Sequence, residues 1–163
     1  MFGKLGSFLR KKPASNSSEQ EEWARRWTER MAAMEKLFGP VEDMVSHALI
    51  PLYLGGSADV IEFRSYVNGH AYVTSEMAGD PEQKRNFLGC YELMICTRQP
   101  TDWAPNLIAK LARCTYESVL EPGQTMDIGP ALPEGSTASA LLFTEPEVKQ
   151  NRFTVGGLRS GVL

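Results

Sequence analysis

Apolar residues recur every three or four positions near the start of the chain. They are Trp23, Trp27, Met31, Met34 and Phe38. This period places them on one face of an α-helix, the face that packs against a core. A capping box precedes them at Ser18–Glu21, and Gly39-Pro40 ends the pattern. The sequence therefore predicts an amphipathic helix over residues 18–39.

After Val60 the apolar positions cluster in short runs that are typical of β-strands. The runs are VIEFRSYV, HAYVTSEM, FLGCYELMIC, ASALLFTEP and NRFTVGGLRSGVL. The first two flank Asn68-Gly69, a preferred pair for a two-residue hairpin turn, which predicts that Phe63 lies opposite Thr74. Both faces of the resulting sheet carry apolar residues, so we expect other elements to cover both faces.

A second helical pattern follows the third predicted strand. Thr101-Asp102 provides a helix cap, Pro105 suits the first turn, and apolar residues at helical spacing continue to about Leu120. A Gly/Pro-rich connection follows over residues 121–137. A loop of that length inside a domain is either functional or mobile.

Together these elements predict a mixed α/β (α+β) fold. We expect one domain with a central mixed β-sheet covered by helices and preceded by the N-terminal amphipathic helix. A chain of 163 residues is long enough for one hydrophobic core. The expected organisation is a flexible basic segment over residues 1–17, the helix over 18–39 and the main domain over 40–163.

The charge is unevenly distributed along the chain. Residues 1–12 contain four basic residues and no acidic ones, whereas the whole chain carries −3, which leaves −7 on the other 151 residues. An acidic body binds phosphate poorly, which excludes nucleic acid and favours a basic protein or peptide as partner. Residues 1–12 also contain apolar side chains, so a membrane-surface helix is an alternative to a basic tail. Gly3 and Gly6 weaken such a helix and favour the tail.

The cysteine and histidine content argues against a metal or cofactor. Cys90, Cys96 and Cys114 form an odd set without CxxC spacing, which is typical of free thiols in a reducing cytoplasm. His47 and His70 fall in no ligand spacing. The sequence predicts a cytoplasmic protein with no cofactor, no metal ligands and no catalytic motif.

An enzyme that uses a strand cysteine or Glu92 together with His70 remains an alternative. Cys90 or Cys96 could act as a nucleophile with His70 nearby, but a buried strand cysteine is the more common arrangement. Glu92 interrupts an apolar strand, where a carboxylate either pairs with an arginine or acts in catalysis, and pairing is the favoured interpretation.

Trp103, at the start of the second helix, is either an exposed binding aromatic or a packing plug between helix and sheet, with the plug favoured.

Several segments resemble suppressor-of-fused-like domains. They are HAYVTSEMAGD, YELMICTR, DWAPNLIAKLARCTYES, LEPGQTMDIG and ALLFTEP, in the order seen in that family. The resemblance as a whole covers the chain from about Leu54 to the last residue. Two features depart from the pattern. Ala104 separates Trp103 from Pro105, and the loop after the helix lacks the histidine that members often carry.

The resemblance implies a non-enzymatic, protein-binding role. Animal members hold a transcription-factor peptide as an added strand between two domains, and this chain has room for only the first domain. Some stand-alone bacterial members have been proposed as immunity proteins that neutralise a toxin. The matching positions imply partner contacts at Tyr72, Glu76 and Asp80, and Trp103 is the fourth candidate. The expected partner surface is a sheet edge with an acidic rim.

Overall fold

The computed structural model describes residues 17–41, 45–64, 66–146 and 152–163. These residues form three α-helices and nine β-strands. The helices are α1 (Ser17–Phe38), α2 (Trp103–Leu111) and α3 (Cys114–Glu117). The strands are β1 (Val45–Ser46), β2 (Val60–Phe63), β3 (His70–Thr74), β4 (Cys90–Glu92), β5 (Met94–Thr97), β6 (Thr125–Asp127), β7 (Ala140–Leu142), β8 (Arg152–Val155) and β9 (Leu158–Val162). The predicted basic segment, except for Ser17, lies outside the described residues.

The strands belong to three small sheets. β1, β2, β3 and β5 form an antiparallel sheet in that order; β4, β9 and β8 form a mixed sheet, in which β4 and β9 run parallel. β6 and β7 form a two-stranded sheet. The first two sheets meet at Leu93, whose carbonyl oxygen accepts a hydrogen bond from Thr74 N at 3.0 Å. The predicted mixed α+β class is confirmed. The expected single mixed sheet is instead divided among three sheets, and the four-stranded one is wholly antiparallel.

Helices cover both faces of the four-stranded sheet, as predicted. On one face Ile61 and Phe63 pack in a core with Met34 and Phe38 of α1. The opposite face contributes a second core shared with α2. Its members include Val60, Tyr72, Leu107, Ile108 and Leu111. Because α1 shares a core with the sheet, the helix and the strands form one packed unit.

Helix α1 confirms the prediction for residues 18–39 to within one residue at each end. Gly39 adopts a φ of 97° just after Phe38, and its N–H donates to Glu35 O at 3.0 Å. This left-handed residue ends the helix, as the Gly-Pro pair indicated.

The predicted hairpin register is wrong. Phe63 lies opposite Ala71 and not Thr74, because residues 64–69 connect β2 to β3 and not Asn68-Gly69 alone. A Cβ at Gly69 would lie 2.3 Å from the carbonyl oxygen of Thr97, so this glycine permits close approach to the neighbouring strand. The turn sequence thus serves a contact with β5 and does not close a two-residue turn.

Three other elements are divided relative to prediction. The third predicted strand contains β4 and β5, separated at Leu93, and the last predicted strand is the β8–β9 hairpin. The second predicted helix ends at Leu111, and the short helix α3 follows it. Residues 121–137, predicted as a loop, contain β6 and a 3-10 turn at Gly129–Ala131.

Candidate functional site

A cleft with a volume of about 610 Å³ lies beside α1. Its walls come from α1, the 3-10 turn Leu52–Leu54, residues 76–82 after β3, and the α3 region. Three aromatic side chains line it, namely Trp23, Tyr53 and Tyr116. Four acidic residues also line it: Glu76, Asp80, Glu82 and Glu117. The cleft thus combines carboxylates with aromatic surface.

The segment after β3 is folded around the buried carboxylate of Glu92. Glu92 is fully buried, and its Oε1 accepts hydrogen bonds from Met77 N at 2.8 Å and Ala78 N at 2.7 Å. Its Oε2 accepts from the Thr74 hydroxyl at 2.7 Å. Burial raises the pKa of Glu92, and the positive charge of Arg30 and these donors act in the opposite direction.

Arg30 of α1 holds the same segment from the other side. Its guanidinium donates twice to Ala78 O, at 2.9 and 2.6 Å, and once to Ser75 O at 2.7 Å. It also lies 3.5 Å from Glu92. Burial lowers the pKa of Arg30, while the nearby Glu92 carboxylate raises it. Carbonyl groups and amide groups of residues 75–78 are therefore fixed by one buried ion pair.

Glu76 is partly buried at the cleft and has an unusual proton affinity. Burial, together with the negative charge of Asp59, raises the pKa of Glu76 to about 7. A hydrogen bond from Asp59 N to Glu76 Oε2, 3.1 Å long, acts against this shift. Glu76 thus changes charge near neutral pH, where an arriving cation would favour its ionised form.

Asp80 lies in the same cleft and is oriented by two donors. The Tyr116 hydroxyl donates to Asp80 Oδ2 at 2.9 Å, and Glu82 N donates to Asp80 Oδ1 at 2.9 Å. Burial and the charge of Asp80 raise the pKa of Tyr116 well above its ordinary value. Tyr116 therefore remains a proton donor and holds the carboxylate in place.

The arginines that line the cleft are engaged by other groups. Arg113 donates to Gly55 O at 2.7 Å and lies 3.5 Å from Glu117. Arg26 lies 3.9 Å from Glu22 and donates to Gly79 O at 3.4 Å. In contrast, the carboxylates of three lining residues form no ion pair with any described residue. They are Glu76, Asp80 and Glu82.

The four predicted contact residues separate into two groups. Glu76 and Asp80 come together in the cleft. Tyr72 is 5% exposed, and its hydroxyl accepts from Thr101 N at 3.1 Å, so it does not lie on an accessible rim. Trp103 is half-buried against the core beneath α2, which agrees with the packing plug. The other residues that line the cleft come mainly from α1, the 3-10 turn Leu52–Leu54 and the region of α3, and the sequence did not predict them as site residues.

One of the missed residues left a signal in the sequence. Arg30 follows Trp27 by three positions and precedes Met34 by four, so it lies on the otherwise apolar face of α1. A charged residue there must find a buried partner. Tyr116 and Tyr53 left no comparable signal, because only the folded chain brings them to Asp80 and the α1 surface.

The alternative catalytic set is not assembled by the described residues. His70 Nδ1 contacts the carboxylate of Glu62, and the thiol of the buried Cys90 donates to Asp80 O at 3.2 Å. Cys96 is exposed but lies opposite Ala71, so its side chain is on the sheet face away from His70. Glu92 is paired with Arg30, as its position in an apolar strand indicated.

No group of three or more histidine, cysteine, aspartate or glutamate side chains among the described residues is placed to hold a metal ion. No helix in the described part of the chain is both long and apolar enough to cross a membrane.

Comparison with protein-family models, with curated proteins and with solved structures gave no match to this chain. The resemblance to suppressor-of-fused-like domains therefore stays a prediction from the sequence.

Proposed function

We propose that this chain is a non-enzymatic, cytoplasmic binding module that captures a basic partner protein in its acidic cleft. The observation that carries the proposal is the joint placement of Glu76 and Asp80. Both carboxylates line one cleft. The buried Arg30–Glu92 pair fixes the backbone of residues 75–78, which belong to the same segment. A site held in advance in this way loses little conformational entropy when a partner binds.

The lining of the cleft suits an arginine or lysine side chain. Carboxylates supply the countercharge, and aromatic rings such as Tyr53 and Trp23 offer apolar surface and cation–π contact to the alkyl stem and the charged head. The net charge of −7 outside residues 1–12 would also speed encounter with a basic protein.

An exposed apolar segment beside the cleft supports a protein as the partner. Leu49 is 98% exposed, Ile50 59% and Leu54 62%. The same segment contributes Leu52 and Tyr53 to the cleft wall. Adjacent apolar residues exposed on one segment are typical of protein interaction surfaces. A partner that covers both regions would present apolar residues next to a basic one.

A sheet edge is the second part of the proposed surface. β5 is an outer strand of the four-stranded sheet; Leu163 O already accepts a hydrogen bond from Met94 N at its start, and Cys96 farther along the strand is exposed. An extended segment of the partner could pair with such an edge, as the resemblance to suppressor-of-fused-like domains implies. Within this proposal, neutralisation of a toxin by an immunity protein is the specific version.

The test is capture of the partner from the source cell with the tagged full-length chain, followed by mass spectrometry and a measured affinity. Glu76→Lys with Asp80→Lys should weaken the complex at least tenfold. Glu76→Gln with Asp80→Asn, which preserves shape, should weaken it less. Glu134→Lys is the matched control, because Glu134 is exposed and outside the cleft. Unchanged affinity in the double Lys variant would remove this site from consideration.

A further inference from the structure

We propose that residues 1–12 of this chain dock in the acidic cleft and so compete with the partner for it. The competition rests on the proposed function, whereas the docking rests only on the cleft and the sequence. The segment carries four basic residues, Lys4, Arg10, Lys11 and Lys12. It also carries five large apolar residues, Met1, Phe2, Leu5, Phe8 and Leu9. This combination is the chemistry that the cleft requires.

Charge complementarity is the first argument. Residues 1–12 carry +4, and the cleft presents three carboxylates that form no ion pair with any described residue. Those carboxylates belong to Glu76, Asp80 and Glu82. Apolar residues of the segment would meet Tyr53 and Trp23 on the cleft wall. An ion pair in a partly buried site is screened less by salt than an ion pair on the surface.

The distance along the chain is the second argument. Helix α1 begins at Ser17, and its residue Trp23 already lines the cleft. Six residues of α-helix span about 9 Å. Residues 13–16, when extended, span about 13 Å, which is enough to return residue 12 to the level of Trp23. A tether this short gives an effective concentration in the millimolar range, so even weak docking would be well populated.

An anionic membrane is the competing destination for a basic, apolar segment. The observations favour the cleft, because the remaining chain carries −7 and would be repelled by an anionic surface. Gly3 and Gly6 also oppose the amphipathic helix that membrane binding would require.

Limited trypsin digestion of the full-length chain at pH 8 tests the docking, with cleavage after Lys4, Arg10 and Lys11 followed by mass spectrometry. Docked segments are protected from the protease, so removal of the cleft charges should speed cleavage. We expect the triple variant Glu76→Gln, Asp80→Asn, Glu82→Gln to be cut at least fivefold faster at these three sites. The control Glu134→Gln should be cut at the wild-type rate. Urea denaturation of both variants establishes that they are folded.

Hydrogen exchange of the amides in residues 2–12 provides a second readout, and the triple variant should exchange at least fivefold faster there. Equal cleavage and exchange rates in wild type and triple variant would overturn the proposal. Protection that increases with protein concentration would also overturn it, because the cleft would then hold the segment of a second copy. A third contrary result is that the chain binds vesicles of 70% neutral and 30% anionic lipid while wild type and triple variant show the same protection from trypsin.

The two proposals fail separately. If the charge reversals at Glu76 and Asp80 leave the affinity for the partner unchanged, the proposed function is rejected and the trypsin result still stands. Cleft-dependent partner capture together with unprotected residues 1–12 would reject only the docking.

Discussion

Arg30 and Glu92 form a buried ion pair with 3.5 Å between Nε and Oε1, and each side chain also binds the backbone of the segment between β3 and Asp80. Arg30 donates hydrogen bonds to the carbonyl groups of Ser75 and Ala78, and Glu92 accepts hydrogen bonds from the amide groups of Met77 and Ala78. The pair therefore joins α1 to the junction of two sheets. It also fixes the position of the cleft carboxylates.

Removal of either partner should destabilise the fold strongly. We expect Arg30→Met or Glu92→Gln to lower the free energy of unfolding by about 3–5 kcal/mol, because the remaining group is buried without its counterion. The double variant should lose less than the sum of the two. Urea denaturation measures all three. Arg25→Met, which breaks an exposed pair with Glu29, is the control and should cost about 0.5 kcal/mol or less.

The raised pKa of Glu76 should make stability depend on pH. The folded chain keeps this proton up to pH about 7, whereas the unfolded chain releases it near the ordinary glutamate pKa of 4.5. Stability should therefore fall as pH rises between these values, by up to about 3 kcal/mol. Glu76→Gln cannot ionise, so it should be more stable than wild type at pH 8 and similar at pH 4. Denaturation at the two pH values checks this, and an equal difference at both would contradict it.

Gly79 should tolerate no side chain. Its φ is +81°, and a Cβ there would lie 2.5 Å from Cγ1 of Val155. We expect Gly79→Ala to cost about 3 kcal/mol or more, since backbone strain and a core clash add together. Gly123→Ala is a matched control with a φ of +87° and no atom within 4 Å of the added Cβ. It should cost only about 1–2 kcal/mol, so equal losses in thermal unfolding would show that the clash is relieved.

Leu49 should matter for binding and not for folding. Because Leu49 is 98% exposed, Leu49→Ala should change the free energy of unfolding by about 0.5 kcal/mol or less. Leu88→Ala, at a fully buried position, should cost about 2–5 kcal/mol. Leu49→Ala should also weaken binding of the captured partner by about 1 kcal/mol, as measured by titration. A destabilised Leu49→Ala variant would place this residue in the core.

Local sequence patterns predicted much of the fold. The three-to-four-residue spacing from Trp23 to Phe38 and the following Gly39 predicted α1, because helix period and helix end depend mainly on neighbouring residues. Apolar residues on both faces of the β2–β3 region likewise predicted covering elements on both sides. The register failed because Gly69 is required for close approach to Thr97, a residue of another strand.

The candidate site was predicted only in part, for the same reason. Glu76 and Asp80 were named from the sequence, and they share a short segment, so their proximity follows from the chain itself. Trp23, Tyr53 and Tyr116 reach the cleft from three separate elements, and no local pattern records that meeting. Periodicity established the helix and the strand-rich class, and the count of charged residues established the acidic character of the chain. Packing of α1 and α3 around the segment held by Glu92 produced the cleft, because a buried carboxylate takes its donors and its counterion from wherever the fold brings them within reach.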